Sequence, residues 1–196
     1  GAARVPLTRR MATVSEQLDE AARVFAASAT LVSAIEQAAA AAVSTLTGGG
    51  TLFSCGNGGS CADAMHLTEE CVGRYRANRR PLPAICLGAD APGLTCTAND
   101  FGYEHVFSRP LRAFAHAGDS LFAFSTSGNS TSVLRALESA AEMGVRTIFL
   151  GGGDGGAARS LAEIAIIVPS RNTARIQEVH GFVLHAVLEA IEAAFA

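Results

Sequence analysis

His66 and Glu70 stand four residues apart in a stretch that contains neither Gly nor Pro. On a helix that spacing puts an imidazole and a carboxylate on one face. Gln177 and His185 are eight apart, about two turns, and share a face of a second helical stretch. Two imidazoles, a carboxylate and an amide form a donor set for Zn²⁺, although Gln is an uncommon ligand. The same groups serve equally as proton-transfer groups. The ordinary readings are a solvent-facing i,i+4 pair for His66–Glu70 and a packed core or interface histidine for His185. Spacing alone leaves these alternatives open. Gly181 lies between Gln177 and His185. A mid-helix Gly costs roughly 1 kcal/mol relative to Ala, so something is expected to approach this face closely. Glu69 and Glu178 read as solvated neighbours, and His105 and His116 as surface residues on helical stretches. The sequence does not decide whether His180 is wet or buried. Arg74, Arg76, Arg79 and Arg80 offer an anion site, but most of that cluster reads as a solvated helix end.

A second kind of chemistry lies in the loops. Gly56-Asn57-Gly58-Gly59-Ser60 and Ser125-Thr126-Ser127-Gly128-Asn129-Ser130 each follow a short apolar run. The second loop offers four hydroxyls and several backbone N–H groups just before a helix that opens near Thr131. Free N–H donors at a helix N-terminus favour an anion even without a cationic side chain. One such loop is equally an ordinary Ser/Asn cap. Two together favour a phosphorylated small molecule. Gly151 to Gly156 reads as a plain turn. The first loop lacks G-x-G-x-x-G spacing, and no acidic residue follows at a second strand end, so a dinucleotide site is weakly supported.

The elements that must position these groups follow from periodicity. Residues 12–27 and 30–46 carry helix-like apolar spacing and end at Gly48-Gly49-Gly50. Five short apolar runs follow: Thr51–Cys55, Ala84–Leu87, Ser120–Phe124, Arg146–Leu150 and Ile164–Val168. Helical segments separate them, and a last helix runs from about Thr173 to Ala194. Short strands alternating with helices predict an α/β fold with a parallel sheet covered on both faces. The two N-terminal helices and the last helix exceed what covers so small a sheet, leaving surface for oligomerisation. No solenoid repeat or interdomain linker is evident, so 196 residues read as one domain. Within it, 12–47 form packing helices and 50–196 the sheet with its flanking helices.

Composition excludes several alternatives. With 49% hydrophobic and 17% charged residues, disorder over most of the chain is ruled out. All 15 basic residues are Arg. Without Lys there is no Schiff-base chemistry on a protein amine and no Walker-type phosphate loop. A net charge of −3 gives no footprint for nucleic acid. The five cysteines lack C-x-x-C spacing and are odd in number, which points to a reducing cytoplasm rather than a disulfide framework or a Cys–zinc site. No apolar run approaches the ~20 residues that cross a bilayer, and the N-terminus lacks the order of a signal peptide.

Taken together, these motifs resemble one family. Gly56-Asn57-Gly58-Gly59-Ser60, Ala62-Asp63-Ala64, His66 and Glu70 resemble the phosphoheptose isomerases of the sugar isomerase (SIS) group. So do Asn99-Asp100-Phe101-Gly102-Tyr103, Ser125 to Ser130 and Arg175-Ile176-Gln177-Glu178, in the same order along nearly the whole chain. The resemblance implies a three-layer α-β-α sandwich with a five-stranded parallel sheet plus N-terminal helices. It implies conversion of sedoheptulose 7-phosphate to D-glycero-D-manno-heptose 7-phosphate, the first step toward activated heptoses. It also implies a cytoplasmic homotetramer with active sites shared between subunits. One zinc per subunit would sit on His66, Glu70, Gln177 and His185. The phosphate would rest on Ser125, Thr126, Ser127 and Ser130. Asn57, Gly58, Gly59, Ser60, Arg74, Asn99, Asp100 and Gln177 would line the sugar. Some members carry Asp where this chain has Ala174, and Cys61 and Gly151-Gly152-Gly153 are further departures.

Isomerisation through an enediol needs a base at carbon and an acid at oxygen, for which Glu70 and His185 are the candidates. Competing readings are a non-catalytic SIS adaptor of the replication-initiator-binding type, a sugar-phosphate sensor and an isomerase of another sugar phosphate. The adaptor lacks the glutamate of the first helix, which is present here. No DNA-binding helix-turn-helix is evident. SIS-fold enzymes that isomerise glucosamine phosphate use a Lys, and this chain has none.

Overall fold

A computed structural model of the chain describes residues 11–196. The signal-peptide reading rests in part on residues 1–10, which lie outside the described residues. The chain order is α1 (Val14–Ala27), a single helical turn, α2 (Val32–Thr47), β1 (Leu52–Gly56), α3 (Gly59–Val72) and β2 (Ala84–Cys86). There follow α4 (Ala91–Phe101), α5 (Ser108–Phe114), β3 (Ser120–Ser125), α6 (Thr131–Glu142), β4 (Arg146–Gly152), β5 (Ile164–Val168) and α7 (Thr173–Phe195). The strands form one sheet in the order β2-β1-β3-β4-β5, and every pairing is parallel.

Both faces of the sheet are covered, as the continuous apolar runs require. Leu52, Phe122, Phe124, Ile148, Leu150, Ile166 and Val168 point to the side of α2, α3 and α7. Phe53, Cys55, Leu121, Ala123 and Phe149 alternate with them and pack on α5 and α6. Phe53, Phe122, Phe124 and Phe149 are fully buried; such a side chain contributes roughly 1.5–3 kcal/mol on leaving water.

The strand order reverses direction between β1 and β3. The helix after β1 covers one face and the helix after β3 the other. A crevice therefore opens where the carboxyl ends of β1 and β3 lie side by side, the place where open α/β sheets bind ligands. The two polar loops picked out from the sequence leave the sheet there.

Two expectations are corrected. Val14–Thr47 forms a helical stretch that is long and apolar enough, by length and composition alone, to span a bilayer. Its apolar character belongs largely to α2, whose Ile35, Ala38, Ala42 and Leu46 are buried in the core beside α7. His105 and His116 do not lie on regular α-helix: His105 is half-buried in a single helical turn and His116 is exposed in the loop after α5.

Candidate active site

α3 and α7 pack together on one face of the sheet and bring their polar residues into one cluster. His66 Nε2 lies 3.6 Å from Glu70 Oε1, with His66 side-chain exposure at 40% and Glu70 at 20%. This is the i,i+4 pair read from the sequence, but it does not face open solvent alone. The His66 and His185 rings meet edge to face at 5.1 Å between centroids. Tyr75 stacks on His185 with 6.1 Å between ring centroids. Gln177 lies directly over Gly59: a Cβ on Gly59 would collide with the Gln177 amide. Gly59 is thus a steric requirement for the position of Gln177.

The donor atoms of His66, Glu69 and Glu70 all lie within 4.8 Å of one another. Glu69 is exposed as expected, yet its carboxylate joins the cluster. Imidazole and carboxylate donors at this spacing, with a second imidazole adjacent, fit a divalent transition metal such as Zn²⁺. Asp63, one turn before His66, has a buried Oδ2 without a hydrogen-bond partner among the described residues. Burial pushes its carboxyl up to about 6, against the opposing pull of His66.

The loop end of the crevice is built differently. Asn57 Nδ2 donates to Ser132 Oγ at 3.0 Å, joining the β1 loop to the start of α6. Tyr103 donates its hydroxyl to Asn57 Oδ1 at 2.8 Å. Asn57, Tyr103, Ser130, Thr131 and Ser132 line a cavity of about 550 Å³. Ser60 is buried in the first turn of α3, and its N–H donates to the Asn57 carbonyl at 3.1 Å. Gly58, at φ 56°, makes the bend into α3. In the Ser/Thr loop, Gly128 N–H donates to Ser125 Oγ at 3.2 Å and Asn129 N–H to Ser127 Oγ at 3.3 Å. Thr126, Ser127 and Asn129 line a second cavity, of about 300 Å³, with Gly152, Gly153, Asp154, Arg171 and Thr173.

Gly151 to Gly156, read as a plain turn, does more than reverse the chain. Gly128 lies so close to Gly155 that a Cβ on Gly128 would collide with the Gly155 carbonyl. Ala158 N–H donates to the Gly128 carbonyl at 3.0 Å, and Ala157 N–H to Asn129 Oδ1 at 3.1 Å. The glycine run is the backing on which the Ser/Thr loop rests. Its position at the carboxyl end of a strand was the signal that could have found it.

Other expectations fare unequally. Asn99 and Asp100 are exposed at the end of α4 and bond to each other, Asn99 Nδ2 to Asp100 Oδ1 at 2.6 Å, rather than to the cluster. Arg74 is exposed after α3. Among the described residues, nothing lies within 4 Å of a Cβ placed on Gly181, contrary to the expectation of a close contact there. His180 is fully buried, donating from Nε2 to the Gly151 carbonyl at 3.3 Å, and burial lowers its imidazole to about 4. Tyr75, Tyr103 and Ser132 were missed, because each meets a site residue on another element: Tyr75 stacks on His185, and Tyr103 and Ser132 bond to Asn57.

The fold and the crevice define a class. The SIS-domain profile matches residues 16–152, and the chain belongs to that family. Within it, the chain is 42% identical over 182 residues to the phosphoheptose isomerase of Campylobacter concisus, covering 93% of this chain and 96% of that one. The solved phosphoheptose isomerase of Neisseria gonorrhoeae superposes with a TM-score of 0.87 at 38% identity, covering 92% of this chain and 97% of that one. That of Francisella tularensis gives 0.89 at 34% identity, covering 92% and 96%. The chain is a member of the phosphoheptose isomerases, aldose–ketose isomerases built on the SIS domain.

Proposed function

We propose that the chain converts sedoheptulose 7-phosphate to D-glycero-D-manno-heptose 7-phosphate through an enediol. The observation that carries this reading is the meeting of the His66–Glu70 pair with His185, and of Gln177 with Gly59, beside two hydroxyl- and amide-rich loops at the switch point of the sheet. The Ser/Thr loop takes the phosphate on Ser125, Thr126, Ser127 and Ser130, and the binding energy of that remote group orients C1 and C2. Asn57, Ser60, Arg74, Asn99 and Asp100 line the sugar. Glu70 moves the proton between C1 and C2, and His185 exchanges the proton at oxygen.

Zn²⁺ would be held by His66, Glu70, Gln177 and His185, one ion per subunit, and would supply a Lewis acid for the reacting oxygens. Where Glu70 and His185 are also ligands, proton transfer and metal binding draw on the same lone pairs.

The assembly we propose is a cytoplasmic homotetramer with sites completed between subunits. Three features support it. α1 buries none of its residues, and Val14, Leu18, Phe25 and Phe182 are exposed. Among the described residues, none fills the space at Gly181, beside Phe182. Asn99 and Asp100 have no contact with the cluster of their own chain that would place them on the sugar.

The test is isomerase activity on sedoheptulose 7-phosphate, with zinc content measured on the same sample before and after chelation. Turnover that falls with zinc supports reaction and site together. Metal-independent turnover keeps the isomerase and leaves Glu70 and His185 as plain acid–base groups. No turnover in folded, zinc-loaded protein sinks the assignment of this substrate.

A further inference from the structure

Two arginine–glutamate pairs join the segment after α3 to α7, three residues apart on both sides. Arg76 pairs with Glu189 at the surface, with side-chain exposures of 62% and 49%. Arg79 pairs with Glu192 out of solvent, with exposures of 1% and 8%. An exposed pair of this kind is worth little, whereas a buried one persists only if its hydrogen bonds are met.

The Arg79 guanidinium meets that condition in an informative way. Its Nη2 donates to the main-chain carbonyl of Glu70 at 2.8 Å, and its Nη1 to those of Cys71 at 2.9 Å and Arg80 at 3.0 Å. Its Nε donates to Glu192 Oε2 at 3.3 Å. The other Glu192 oxygen accepts the Ala77 N–H. That N–H, with the guanidinium, holds the Glu192 carboxyl below the usual range. The cation thus caps the last carbonyls of α3, where the helix dipole is negative. Glu192 is seven residues beyond His185, two turns along the same face of α7.

We propose that Arg79 and Glu192 are positioning residues for the isomerisation: they lock the crossing of α3 over α7 and so set the place of Glu70 relative to His185. One planar fork holds the backbone of the residue that carries the carboxylate and, through Glu192, the helix that carries the imidazole. Lysine, with a single ammonium, cannot span both. The inference rests on the roles given to Glu70 and His185, but the geometry it claims is separable from them.

The experiment compares Arg79→Met, Arg79→Lys, Glu192→Gln and Arg76→Ala with the parent enzyme. Three quantities are measured: kcat, KM for sedoheptulose 7-phosphate, and the side-chain ¹H–¹⁵N resonances of His66 and His185 well below the unfolding temperature. Arg79→Met is expected to lose at least 10-fold in kcat with KM within about threefold, since the phosphate loop is untouched. Arg79→Lys and Glu192→Gln should fall between it and the parent, and keep the test open should Arg79→Met fail to fold. Arg76→Ala should match the parent. The His66 and His185 resonances should move in the Arg79 and Glu192 variants and stay in place in Arg76→Ala. Lower thermal stability with unchanged kcat, KM and resonances would overturn the proposal, leaving the pair a purely structural link. Glu70→Gln run alongside separates the two failures: if it turns over normally while the resonances move, the acid–base assignment is wrong and the positioning stands.

Discussion

At the α3–α7 end of the crevice, the groups proposed to move protons are side chains on two helices. At the β3–β4 end, the groups proposed to bind phosphate are hydroxyls and main-chain amides of loops that rest on other loops. The first end depends on helix crossing: the His66–Glu70 pair meets His185, and Gln177 lies over Gly59, only because α3 lies on α7. The second depends on close backbone approach: the Ser/Thr loop keeps its shape because Gly128 lies against Gly155. Rigid helices suit groups that must hold a precise geometry for proton transfer, and an amide-rich loop suits a tetrahedral anion whose oxygens accept hydrogen bonds from its N–H groups. The two ends should therefore fail differently, the first in kcat and the second in KM.

The sharpest attempt to break that contrast is Glu70→Gln. It should lower kcat by about 100- to 10,000-fold, the range of general acid–base catalysis, with the fold unchanged by circular dichroism. A variant that turns over near the parent rate would remove Glu70 as the base. Next comes Ser125→Ala combined with Ser127→Ala. Each hydrogen bond to a charged group is worth about 1.5–3 kcal/mol, so KM should rise by at least roughly tenfold while kcat is largely kept. Unchanged saturation curves would remove the phosphate from this loop.

Gly128→Ala probes the loop end without touching a hydroxyl. Gly128 sits at φ 65°, and its missing Cβ faces the Gly155 carbonyl. Strain of about 1–3 kcal/mol should lower the melting temperature and raise KM. A fall in kcat alone would show that the two ends are not separable.

A pH-dependent effect concerns His180, which touches the β4 end of the loop backing from the helix that carries His185. Its imidazole falls from 6.5 to about 4 on folding, so the unfolded chain binds the extra proton between those values. Stability should therefore drop as pH falls from 6.5 toward 4, by up to about 3 kcal/mol from this group. Asp63, raised from 3.8 to about 6, works the other way, gaining stability as pH falls through 6. His180→Gln should flatten the acid side of a plot of melting temperature against pH; an unaltered slope would assign it to other groups.

Much of this was legible in the sequence, for a physical reason in each case. Buried parallel strands are apolar runs, so all five were visible. β3 and β4 run on into Ser125 and Gly151-Gly152, where the ladder continues through residues with no apolar side chain to announce it. His66 and Glu70 share one helix, and Gln177 and His185 another, so periodicity paired each couple. That the two couples meet depends on the packing of α3 on α7, which no local spacing encodes. Tyr75, Tyr103 and Ser132 were illegible for the same reason. Arg79 was read as part of a solvated helix end, because a charge run does not reveal which of its members turns inward. Gly181 misled in the other direction: a helical glycine implies a neighbour, and none comes from the described residues.

The seating of Gly128 on Gly155 has an evolutionary consequence. A side chain added at Gly128 would meet the main chain of the other loop, so no compensating change of side chain there can make room for it. Variation in this corner should arise through insertions and deletions that reset both loops together, not through point substitutions. A library built to widen substrate range would gain more by randomising the paired lengths of residues 125–130 and 151–156 than by saturating Gly128 alone.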